Sequence, residues 1–124
     1  MSLKSFSGRR QQKKNFTSPL KIKLIFDLSL QGFFKWVRAR LSKIPWIEII
    51  DCPLEYKKAD LILARFAFIN DAYIVTTDRK FPYEKRIILP MRVYTNGKFV
   101  SVKYEKLYVI LIKEIAKIRK LHQH

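Results

Sequence analysis

Cysteine is nearly missing from this chain: Cys52 stands alone among 124 residues. One thiol excludes an internal disulfide framework and a zinc site built on cysteines, and it fits a reducing compartment, so a cytoplasmic location is expected. Long apolar runs are missing as well. No segment approaches the ~20 apolar residues of a bilayer-crossing helix, and no apolar stretch of signal-peptide length follows the basic N-terminus. The apolar positions are all needed for a core, which leaves no spare helix face to lie on a membrane. Acids are scarce: ten Asp and Glu face 26 Lys and Arg, a formal charge of +16. That is more than solubility needs. The expected partner is a polyanion, nucleic acid before any other; a charge that serves only solubility is the alternative.

What the chain does contain is enough for one folded domain, with 48% apolar and 14% aromatic residues. Residues 1–18 stand apart. They hold Arg9, Arg10, Lys13 and Lys14, no acid and no sustained periodicity, so they are expected to be a disordered arm that grips phosphates. Phe6 and Phe16 could stack on bases or dock on the fold. Residues 19–124 are expected to be the domain.

Within it, Lys21 to Phe26 ends in the apolar run Leu24-Ile25-Phe26 and predicts a first strand. Leu30, Phe33, Phe34, Val37 and Leu41 then share one face of a helix that Ser29 is placed to cap. Trp46 to Ile50 predicts a second strand. Pro53, with Asp51 or Cys52 as cap, opens a second helix running to about Ile69. Ala72 to Thr77 and Arg86 to Leu89 predict two more strands, with a basic loop around Pro82 between them. Asn96-Gly97 marks a tight hairpin between Met91–Tyr94 and Lys98–Val102, and a last helix starts at Tyr104. The alternation of strands and helices argues for an α/β fold with a mainly parallel sheet covered by helices, plus a C-terminal hairpin and helix.

On this layout Asp27, Asp51 and Asp78 each follow a strand, while Asp60 lies on a helix over the sheet. Ligands of open α/β sheets gather beyond the carboxyl ends of the strands. Four of ten acids at one edge of a cationic chain would repel one another unless a cation neutralised them. Mg2+ or Mn2+ suits oxygen ligands and keeps waters, and phosphodiester cleavage is the corresponding reaction. Each acid also has a plainer reading: Asp27 and Asp51 as helix caps, Asp60 as a surface ion pair, Asp78 as a turn residue. Glu55 is a further candidate ligand or a first-turn acid that suits the helix dipole. Thr76 and Thr77 could orient a water or phosphate, or be ordinary strand residues. Arg79 and Lys80 would hold the nucleic-acid backbone.

K-K-A-D-L-I-L-A followed by D-A-Y-I-V-T-T-D-R-K-F closely resembles the second half of PIN-like nuclease domains, including the NYN group. I-F-D-L-S-L resembles the opening of the same fold, so the resemblance spans about Lys21 to Val93. It implies a three-layer α/β/α fold and Mg2+- or Mn2+-dependent cleavage, of RNA more than DNA. By it, Asp27, Asp60 and Asp78 map onto acidic metal ligands, and Thr76 and Thr77 onto a hydroxyl-bearing turn. The chain departs from the family between Leu28 and Ile47, where it has no carboxylate. Asp51 or Glu55 would have to substitute, and without them the domain would be a nucleic-acid binder on a degenerate nuclease scaffold. A homodimer and an inhibitory partner protein stay open as further associations.

Overall fold

The computed structural model describes residues 21–122. Strand β1 (Ile22–Phe26) leads through a 3-10 turn (Leu28–Leu30) into helix α1 (Gln31–Leu41), then strand β2 (Ile47–Ile49). Two helices follow, α2 (Leu54–Lys57) and α3 (Asp60–Ile69), then strands β3 (Tyr73–Thr76) and β4 (Arg86–Ile88). A hairpin of β5 (Arg92–Thr95) and β6 (Lys98–Ser101) precedes helix α4 (Tyr104–His122). The four-stranded sheet has the order β2-β1-β3-β4, and all three pairings are parallel.

The central strands are buried on both faces, which is why I-K-L-I-F and Y-I-V-T read as nearly continuous apolar runs. Their alternating side chains feed two cores. Ile22, Leu24 and Phe26 point to the face covered by Phe33, Val37 and Leu41 of α1 and by Leu107, Leu111 and Ile115 of α4. Ile25 and Ile74 point to the other face, against Leu63, Ala64 and Ala67 of α3 and Phe81 of the following loop. Helices thus lie on both faces of the sheet. Among the described residues no helix is long and apolar enough to cross a membrane.

Three details differ from the sequence reading. The second helix is broken: Ala59 takes an extended backbone (φ −133°, ψ 118°), so α2 and α3 are separate. Alanine is the best helix former, so packing and not propensity decides this break; α2 buries no side chain, whereas α3 buries three. Neither Asp51 nor Cys52 caps α2, whose N-cap is Pro53. Finally, an apolar face is left over after all. On α3, Leu61, Ile62, Phe68 and Ile69 are at least half exposed, because a helix apolar on every side can bury only one stripe.

The hairpin turns at Asn96 (φ 50°) and Gly97 (φ 80°). Two consecutive positive φ values are what a two-residue turn matching strand twist requires, and glycine tolerates the second without strain.

Candidate functional site at the carboxyl edge of the sheet

From β1 the chain moves to β2 on one side of the sheet and later returns to β3 on the other. The carboxyl ends of β1 and β3 therefore border the crevice where strand order switches, the usual ligand position in such sheets. Asp27 follows β1 directly, and its N–H donates to the Val75 carbonyl (3.1 Å), extending the ladder to the sheet edge. Its carboxylate then turns back. One oxygen caps the 3-10 turn by accepting from the Ser29 N–H (3.0 Å) and hydroxyl, and the other accepts from the Thr76 hydroxyl.

Thr76 is the only fully buried polar side chain among the described residues. Its hydroxyl donates to Asp27 and accepts from the Asp78 N–H (3.1 Å), so one oxygen ties the ends of β1 and β3 together. The Thr77 N–H donates to the Ser29 hydroxyl at 3.3 Å, a second tie between the same segments. Asp78 is exposed, and its carboxylate accepts from the Lys80 N–H (2.9 Å) in an Asx turn. The Phe81 N–H closes that turn on the Asp78 carbonyl (3.1 Å), and the buried Phe81 ring anchors it to the core. Arg79 and Lys80 are thereby presented on a fixed loop with both side chains exposed.

The remaining predicted acids lie apart from this arrangement. Asp51 is held by Arg38 of α1 in a two-pronged ion pair, at 2.9 and 3.1 Å. That guanidinium keeps the Asp51 carboxyl below its ordinary range. The link of β2 to α1 explains why Asp51 does not cap α2. Asp60 is exposed at the first position of α3, where a negative charge favours the helix dipole. Glu55 is exposed in the first turn of α2. Among the described residues, no three His, Cys, Asp or Glu side chains come together as a cation cage, so Asp27, Asp60 and Asp78 do not form one. Arg9, Arg10, Lys13 and Lys14 lie outside the described residues.

Two cavities border the edge. A small one, about 160 Å³, runs beside Asp27 and is flanked by Gln31, Lys35 and Lys57. A larger one, about 550 Å³, opens on the far side of β3. It is lined by Thr77 and Arg79, by Ile88 to Met91, and by Arg92 and Phe99 of the hairpin. Sequence reasoning gave the hairpin no functional weight. The signal that could have found it is the alternation of Arg92 with Tyr94, which places a cation and an aromatic ring on one strand face.

The chemistry available here is oxygen-rich and cationic. Asp27 lines the small cavity with Lys35 and Lys57, and Asp78 stands in sequence between Thr77 and Arg79, which line the larger one. Comparison with protein-family models, with curated proteins and with solved structures gives no match.

Proposed function

We propose that the domain binds single-stranded nucleic acid, RNA in the first place, along the carboxyl edge of a PIN-like three-layer α/β/α scaffold. One observation carries this reading: the 550 Å³ cavity at that edge is lined by two cations, Arg79 after β3 and Arg92 on the hairpin, in a chain of formal charge +16. Arginine and lysine contacts to phosphates position a strand without reading its sequence. The Asx turn at Asp78 supports this role, because a loop whose backbone is already hydrogen-bonded loses little backbone freedom on holding a phosphate. Fluorescence anisotropy with a labelled single-stranded RNA in EDTA tests it. Saturable binding that weakens steeply with salt is expected; an RNA that does not bind at low salt overturns it.

A second reading, cleavage of the bound phosphodiester, is favoured by the Thr76 tie that puts Asp27 and Asp78 at adjoining strand ends. Magnesium is commonly held by one or two carboxylates with waters and substrate phosphates in the other positions, so this donor set suits it without a larger cage. Asp27 and Asp78 would hold Mg2+ or Mn2+, and the ion would supply an activated water. Asp60 and Asp51 would lie outside that pair of ligands. The same RNA incubated with manganese separates the two readings: products that disappear in Asp78→Asn mark a nuclease, and bound but intact RNA marks a binder.

A further inference from the structure

The hairpin is exposed along both strands, yet its two faces are not alike. Register pairs Arg92 with Ser101, Val93 with Val100, Tyr94 with Phe99 and Thr95 with Lys98. Side chains of directly paired residues share a face and neighbours alternate, so Arg92, Tyr94, Phe99 and Ser101 occupy one face. The valine pair occupies the other. On the first face Tyr94 and Phe99 meet edge to face, ring centroids 5.1 Å apart, and the Arg92 guanidinium lies 5.7 Å from the Phe99 ring centre. Both rings stay about two-thirds exposed. A pair of aromatic rings held in water on a two-stranded ribbon contributes little to the core, and ribbons of this size gain little stability on their own.

The same face fronts the edge of the sheet. Arg92 and Phe99 line the 550 Å³ cavity together with Thr77 and Arg79. We infer that the hairpin is a base-stacking ledge, on which Tyr94 and Phe99 take the nucleobases of a single strand whose phosphates lie toward Arg79 and Arg92. The inference rests on the nucleic-acid reading above and specifies its ligand: an unpaired strand with bases, in preference to a duplex or a bare polyanion. Aromatic rings offer a stacking surface to any base, while adjacent guanidinium groups hold the backbone, which is the pairing of features that single-strand binding needs. A duplex keeps its bases stacked inside and cannot use the ledge.

The test compares three labelled probes of equal length by anisotropy: a single-stranded RNA, an abasic strand with the same phosphates, and an RNA duplex. The intact protein is expected to bind the single strand about tenfold or more tightly than the abasic strand. Tyr94→Ala/Phe99→Ala is expected to remove that preference, its affinity for the single strand falling to that for the abasic strand, and Tyr94→Trp/Phe99→Trp is expected to keep it. Equal affinity of the intact protein for the single and abasic strands would overturn the ledge and leave polyanion binding standing. A preference that survives in the alanine variant also overturns it. Failure of the protein to bind any probe overturns the nucleic-acid reading, and the ledge with it. Circular dichroism of the variants confirms the fold, which these exposed side chains do not support.

Discussion

Thr76 on β3 donates its hydroxyl to the carboxylate of Asp27, which follows β1, and the same oxygen receives the Asp78 N–H. Replacing Thr76 by valine keeps the shape and burial but leaves an acceptor on Asp27 and a donor on Asp78 without this partner. Losing one partner of a buried hydrogen bond costs about 1–3 kcal/mol. Thr76→Val is therefore expected to lower the melting temperature by roughly 5–10 °C, and Thr76→Ser to recover most of the loss. Thermal unfolding followed by circular dichroism measures both. A valine variant as stable as the parent would mean that the tie between the strand ends contributes nothing.

Arg79 and Lys80 project from the turn that Asp78 closes, and each is expected to meet one phosphate. For single strands the salt dependence falls by about 0.7 per lost phosphate contact, as the slope of log affinity against log salt. Arg79→Ala/Lys80→Ala should reduce that slope by ~1.4 and weaken binding evenly across sequences. A change confined to some sequences would point to base contact by these residues instead.

Much of the fold was legible because its strands are buried on both faces. I-K-L-I-F and Y-I-V-T are apolar for that reason, and Asn96-Gly97 announces its own turn. The break at Ala59 was not legible, since no residue there resists helix and only the packing of α3 against Ile25 and Ile74 separates the two segments. The outer face of α3 was hidden for a related reason: L-I-L-A-R-F-A-F-I is apolar at nearly every position, so periodicity cannot say which residues stay exposed. At the site, the placement of Asp27 and Asp78 after strands was readable from local order. The capture of Asp51 by Arg38 was not, because the two are 13 residues apart on different elements and meet only once α1 packs beside β2.

Two surface ion pairs give the stability a defined pH dependence. Arg38 holds the Asp51 carboxyl below the ordinary 3.8, and Lys85 does the same for Asp71. Carboxyls held down in the folded state contribute stability that is present above their ordinary value and is lost as pH falls through the folded one. Lys85 is raised above 10.5 by its hydrogen bond to Asp71, so its contribution is lost as pH rises past that value. Both carboxylates are largely exposed, 73% and 79%, which limits each pair to about 1 kcal/mol or less. Asp71 has φ 53°, a conformation asparagine accepts, so Asp71→Asn isolates the charge. Urea unfolding should show a small deficit for Asp71→Asn at neutral pH that closes as acid titrates the parent below 3.8. A deficit that persists unchanged into strong acid would assign the effect to the backbone.

Gly32 in the first turn of α1 sits under the Tyr104 hydroxyl, which would lie 2.7 Å from an added Cβ. Tyr104 cannot simply swing away, because its ring packs against Phe33 and Trp36 with centroids 5.6 and 5.7 Å apart. Two effects of Gly32→Ala then oppose each other. Helix propensity gains about 1 kcal/mol, and the overlap with a ring held between neighbours costs roughly 1–3 kcal/mol. The net expectation is destabilisation. Removing the hydroxyl changes the sign: the next nearest atom, the ring carbon that carries it, is 3.9 Å away, an ordinary contact. Gly32→Ala should therefore stabilise the protein in a Tyr104→Phe background and destabilise it in the parent. A double-mutant cycle of urea midpoints reads this reversal as a coupling between the two positions. Additive effects would mean that α4 shifts to make room, and that the aromatic cluster joining α1 to α4 is softer than its packing implies.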